Sequence, residues 1–102
     1  MTFMTTMAIN QEEIRPSYHS VIRFVQRVYR LHSKKKAKRF LTKKGNFYRA
    51  RRDLIRMFKK AQYLCYGYYG QHDKAHFYLL GTFRFIVRGN KIITLLNPYE
   101  RR

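Results

Sequence analysis

Phe83-Arg84-Phe85-Ile86-Val87-Arg88-Gly89-Asn90-Lys91-Ile92-Ile93-Thr94-Leu95-Leu96 is the stretch whose pattern decides the fold. From Thr82 to Arg88, Phe83, Phe85 and Val87 alternate with Arg84, Ile86 and Arg88. A period of two is that of a strand with one face toward a core. Gly89-Asn90 is a two-residue hairpin signal, Lys91 to Leu96 reads as the return strand, and Asn97-Pro98 stops it. A lone hairpin is marginal in water, so further strands are needed. His76 to Leu80 supplies one, with Gly81 as a bend or bulge. Tyr66, Tyr68 and Tyr69 with Gly67 and Gly70 suggest another strand and a turn, and Gln71 to Lys74 reads as a loop.

Upstream the period changes to that of helices. Pro16-Ser17 is a helix start with Ser17 as N-cap. Val21, Phe24, Val25 and Val28 then recur at helical spacing, opposite a stripe of His19, Arg23, Gln26, Arg27 and Arg30. His32 reads as the helix's C-terminal dipole partner. Residues 33–45 form a charge run containing Lys34, Lys35, Lys36, Lys38, Arg39, Lys43 and Lys44, with only Phe40 and Leu41 as anchors. Such blocks repel themselves, and this one reads as a basic loop with room for a short helical turn. Asn46 is placed to cap a second helix running to about Leu64. Its apolar set is Phe47, Ala50, Leu54, Met57, Phe58, Ala61 and Leu64, and its cationic set includes Arg49, Arg51, Arg52, Arg56, Lys59 and Lys60. The expected fold is α+β, with two N-terminal helices on one face of a three- to four-stranded antiparallel meander. Residues 1–15 read as a flexible lead-in and 16–99 as a single domain.

Charge narrows the partner. The 102 residues carry 23 Lys+Arg against five Asp+Glu, a formal net charge of +18 at pH 7. Seventeen of the cations lie between Arg15 and Lys60, with Asp53 the only acid among them. Self-repulsion on this scale destabilises a compact state, and a polyanion relieves it while releasing its counterions. RNA is the expected partner, with DNA an alternative. No membrane partner is expected, because no basic amphipathic helix stands apart from the fold and no stretch approaches ~20 apolar residues. Cys65 is the one cysteine, so no intramolecular disulfide can form, which suits a reducing, cytoplasmic setting. No cofactor motif is present. His72, Asp73 and His76 are a thin set for a metal, and none is expected. Five acids are few for paired-carboxylate or two-metal chemistry.

Two segments carry a resemblance. Tyr18-His19-Ser20-Val21-Ile22-Arg23-Phe24-Val25-Gln26-Arg27-Val28 resembles the HAxxRFxxR opening helix of small phage and plasmid proteins. Phe83 to Leu96 resembles their closing hairpin, (Y/F)RFVVxxGxIVTVxP. These proteins belong to or sit near the barnase, EndoU, colicin and RelE-like group of metal-independent ribonucleases. The segments cover about a quarter of the chain, and Ser20 stands where the group commonly has alanine. The resemblance implies a RelE/barnase-like fold, endoribonuclease or toxin-like activity, and an acidic antitoxin as partner.

Metal-free RNA cleavage needs a base, an acid, cations at the phosphorane and a surface for the bases. His19, Arg23 and Arg27 at i, i+4 and i+8 set one titratable group and two phosphate ligands in a row. The same spacing equally describes a solvated helix face. Arg84 and Arg88 share a strand face, with Thr94 opposite them in the hairpin. His19, Arg23, Arg27, Arg84 and Thr94 are the candidate catalytic set, on the expectation that helix and hairpin share one concave face. Candidate phosphate ligands are Arg30, Lys34, Lys35, Lys36, Lys38, Arg39, Lys43, Lys44, Arg49, Arg52, Arg56 and Arg88. His76 is an alternative catalytic histidine, and Tyr66, Tyr68, Tyr69 and Tyr78 are candidates to stack on unpaired bases. Two other readings stay open: a non-catalytic nucleic-acid-binding module, and a small phage or mobile-element protein that inhibits a host protein.

Overall fold

The computed structural model describes residues 14–70 and 74–97. The closing hairpin forms as its alternation requires. Strands β4 (Phe83–Arg88) and β5 (Lys91–Leu96) pair antiparallel around a turn with Gly89 at φ 59°. Strict alternation would put Ile92 and Leu95 on opposite faces, yet both are fully buried in one core. The register explains this, because Ile86 pairs with Thr94 and Val87 with Ile92, leaving Ile93 as an extra bulged residue.

Strands β2 (Gln62–Tyr68) and β3 (Lys74–Leu80) complete the meander, with a second irregularity at Leu64. A two-residue strand β1 (Arg15–Pro16) adds parallel to β5, giving a five-stranded sheet in the order β1-β5-β4-β3-β2. The expectation of three or four strands therefore falls short by this edge piece. Ile14 is buried in the core and Arg15 N–H donates to the Asn90 carbonyl at 2.7 Å, so the folded unit reaches back to Ile14. The rest of the expected lead-in, residues 1–13, lies outside the described residues, as does Pro98.

Three helices lie on one side of the sheet, α1 (Tyr18–Arg27), α2 (Lys34–Thr42) and α3 (Asn46–Lys59), and of these α1 and α3 pack against it. The chain passes from β1 into α1 without a loop. Ser17 N–H donates to the Ile92 carbonyl at 2.9 Å, and its hydroxyl oxygen accepts from Ser20 N–H at 3.0 Å, the N-cap bond expected. Ser20 is buried and donates its own hydroxyl to the Ser17 carbonyl at 2.7 Å, which satisfies a serine where alanine would otherwise fit.

The charge run of residues 33–45 is largely helix rather than loop. Ser33 caps α2 by accepting from Lys36 N–H at 3.3 Å, and Ala37 and Leu41, four residues apart, are both buried. That narrow stripe suffices because α2 packs against two helices, not the sheet. Asn46 does not cap α3. Gly45 holds the cap position at φ 84°, and the Asn46 amide donates to the Phe40 carbonyl at 2.9 Å, closing the α2–α3 turn. The third helix ends at Lys59, short of Leu64, because the chain joins the sheet at Gln62. Helix α1 ends at Arg27, so His32 lies in the following connection, where its carbonyl accepts from Gln26. The core joins Val21, Phe24 and Val25 of α1 and Leu54 and Phe58 of α3 to Tyr78, Phe85, Val87, Ile92 and Leu95 of the sheet. The Phe58 ring lies 4.7 Å from Tyr78 and 5.4 Å from Phe85.

Candidate nucleic-acid interface

The helical layer gathers the charge by periodicity. Once Val21, Ile22, Phe24 and Val25 are buried, His19 and Arg23 fall on the outer side of α1. Arg23 Nε donates to His19 Nε2 at 3.4 Å, and Arg23 Nη1 donates to Gln26 Oε1 at 3.1 Å. The Gln26 amide donates onward to the His32 carbonyl at 2.8 Å, fixing the end of this chain of contacts. The pKa of His19 lies below its usual 6.5, first through desolvation and then through the positive charges of Arg23, Lys34 and Arg27. Lys34, at the start of α2, therefore shares the surroundings of the α1 stripe.

On α2, Lys34, Lys35, Lys36, Lys38 and Arg39 are exposed on a helix anchored by Ala37 and Leu41. Three of these cations occupy the first turn, which carries no acid. A helix start favours negative charge, so this arrangement opposes the dipole and an anion bound there would relieve it. Lys43 and Lys44 are exposed in the α2–α3 connection, and Arg30 is exposed beyond α1 with a left-handed φ of 65°. On α3, Arg49, Arg52 and Arg56 stand at i, i+3 and i+7 and are all exposed, which makes a second stripe.

Asp53 is the only acid among the described residues. It accepts from the Tyr29 hydroxyl at 2.5 Å and lies 3.8 Å from Arg52 Nε. Beside it, α3 and the β3–β4 turn flank an open groove of about 670 Å³, with Met57, Leu80 and Phe83 at its wall and Arg56 and Lys60 among its cations.

The sheet half of the expected catalytic set does not join the helical half. Phe83, Phe85 and Val87 pack beneath the helices, so alternation puts Arg84 and Arg88 on the other face. Thr94, paired with Ile86 on that same far face, is buried. Arg84 is exposed there. Arg88 donates to the carbonyls of Lys74 at 3.2 Å and Tyr69 at 3.0 Å, and its guanidinium lies 5.9 Å from the Tyr69 ring. Arg88 thus ties Tyr69, just past β2, to Lys74 at the start of β3. One concave face holding His19, Arg23 and Arg27 together with Arg84, Arg88 and Thr94 does not exist.

The aromatic candidates also separate. Tyr78 is buried in the core, while Tyr66 and Tyr68 are exposed. His76 is half-buried, its Nδ1 lies 3.0 Å from the Tyr63 hydroxyl, and burial lowers its pKa. Burial raises that of Tyr63, with smaller contributions from Cys65 and Tyr66. Tyr63 had no signal of its own in the sequence, because the residues around it extend a helical spacing. Its hydrogen bond with His76 depends on the β2–β3 register, in which Tyr63 pairs with Tyr78. His72 and Asp73 lie outside the described residues. Among the described residues, no helix is long and apolar enough to cross a membrane. Comparison with family models, curated proteins and solved structures found no match for this chain.

Proposed function

We propose that this protein binds nucleic acid, with RNA the favoured target, through the outer surface of its three helices. The observation that carries the reading is the cations fixed on two helices that pack together: Lys34, Lys35, Lys36 and Lys38 around the exposed side of one, and Arg49, Arg52 and Arg56 in a stripe on the other. Both sets are exposed, and Asp53 is the only described carboxylate near them. Cations held on helices meet phosphates at a lower entropic cost than cations on a loop, and arginine adds a planar fork for phosphate oxygens. RNA is favoured over DNA by the resemblance of α1 and the closing hairpin to the ribonuclease group.

The test compares faces. The Arg49→Gln/Arg52→Gln/Arg56→Gln variant should lose at least tenfold in affinity for an RNA oligonucleotide at low salt, read by fluorescence anisotropy. Arg84→Gln on the far sheet face should change it less than twofold. Equal losses from the two variants would contradict the reading.

A second reading, RNA cleavage, is favoured by one observation: Arg23 Nε donates to His19 Nε2 at 3.4 Å, and burial with the charges of Arg23, Lys34 and Arg27 lowers the imidazole's pKa. A neutral imidazole can accept the 2′-OH proton while the cations hold the phosphate. Incubation with a structured RNA in EDTA, followed by cut mapping, tests it, with His19→Ala expected to abolish cleavage. An acidic antitoxin or host protein would cover the same basic face.

A further inference from the structure

We propose that the β2–β3 hairpin is a stacking ledge for unpaired bases, which makes single-stranded nucleic acid the substrate class; this rests on the nucleic-acid reading above. Tyr66 and Tyr68 are two residues apart on an edge strand, so their rings stand on one face, about 6.6 Å apart along the strand. They are 49% and 66% exposed, whereas Tyr78 on the neighbouring strand is 1% exposed. The contrast matters because tyrosines in strands ordinarily fill cores, as Tyr78 does.

The surroundings of the two rings suit a base with its phosphate. Lys74 pairs with Tyr68 across the hairpin, and its Nζ lies 5.1 Å from the Tyr68 ring and 5.7 Å from the Tyr66 ring. That ammonium lies over the ring faces, so a base that stacks there displaces it toward the nucleotide's own phosphate. His76 pairs with Tyr66, the rings 4.7 Å apart, and the Tyr63 hydroxyl lies 3.0 Å from the imidazole Nδ1. The ledge is therefore buttressed, not loose.

Position supports the same use. Tyr66 and His76 share a row with Val87 and Ile92, which pack under the helices. The ledge thus lies on the sheet face that carries the basic helices. No Lys or Arg interrupts β2 from Gln62 to Tyr68, although the chain holds 23 such residues. Helices then supply contacts to phosphate and the hairpin supplies π-faces, a division that suits unpaired strands because every base has a face to stack. A duplex, whose bases are already stacked, gains nothing from the ledge.

The experiment measures anisotropy of the full chain with a single-stranded oligoribonucleotide and with its duplex at one salt concentration. Tyr66→Ala/Tyr68→Ala should lose tenfold or more for the single strand and less than twofold for the duplex. Tyr66→Phe/Tyr68→Phe, which keeps the rings, should bind the single strand within threefold of the wild type. Full single-strand affinity in the Ala variant, or equal loss on the duplex, would overturn the ledge while leaving nucleic-acid binding in place. Wild-type protein that binds neither would overturn both.

Discussion

The Tyr29 hydroxyl donates to Oδ2 of Asp53 at 2.5 Å, tying the segment between α1 and α2 to α3. This bond anchors the assembly of three mutually repelling helices, since Asp53 is the only carboxylate among the described residues. The Tyr29 ring packs edge-on to Phe24 and Phe40, so hydrogen bond and packing act at one point.

Tyr29→Phe keeps the packing and removes the bond. It should lower stability by about 1–2 kcal/mol in urea unfolding at pH 7, the range for a partly exposed bond to a charged group. The pKa of Tyr29 is pushed up to about 12 by burial and by the hydrogen bond and charge of Asp53. The folded state therefore keeps a proton that the unfolded state releases near pH 10, and this contribution is complete below pH 10 and lost as pH rises toward 12. The difference between wild type and Tyr29→Phe should shrink across that window. A constant difference would contradict the assignment.

His19 should titrate below 6.5 in the free protein, as followed by NMR. Because its folded pKa is lowered, its stabilising contribution is complete above pH 6.5 and lost as pH falls through the folded value. Bound phosphate neutralises Arg23, Arg27 and Lys34, so nucleic acid should raise the His19 pKa and affinity should increase from pH 7.5 to 5.5. His19→Ala should remove most of that increase. A His19 pKa unmoved by saturating RNA would show that phosphate does not reach this stripe.

Replacing Lys34, Lys35, Lys36 and Lys38 by Gln should weaken binding to all sequences alike. Lysine makes point-charge contacts to phosphate and reads no base edge from there. Parallel affinity losses across a panel of oligonucleotides are expected, and a changed order of preference would contradict this.

Leu41→Ala tests whether the charge run is an anchored helix. Leu41 is buried, so truncation should cost about 2–4 kcal/mol and reduce helical circular dichroism. A mobile loop would tolerate the change.

The legible parts of the chain were those in which local pattern and tertiary role agree. Phe83, Phe85 and Val87 alternate in sequence and in space, and Gly89 turns where expected. Helix α1 follows from its apolar spacing, although it ends at Arg27 and not at Leu31, and its Ser17 cap follows from the Pro16-Ser17 start. The α2 helix was hidden because Lys34 to Arg39 dominate a segment whose packing rests on Ala37 and Leu41. Strand β1 was hidden because two residues carry no pattern, and Ile92 and Leu95 because a bulge at Ile93 breaks the alternation. On the candidate site, the stripe of His19, Arg23 and Arg27 was readable as helix geometry. The failure of Arg84, Arg88 and Thr94 to meet it follows from which sheet face the helices cover, a tertiary choice. Tyr63 and His76 meet only through strand register, thirteen residues apart.

The most direct test of the account is the salt dependence of RNA binding by the full chain. If the helical surface neutralises about five to eight phosphates, log affinity should fall with log salt at a slope of roughly −4 to −7, at about −0.7 to −0.9 per contact. A slope near zero, or no binding at low salt, would contradict the claim that the basic helices exist to hold a nucleic acid.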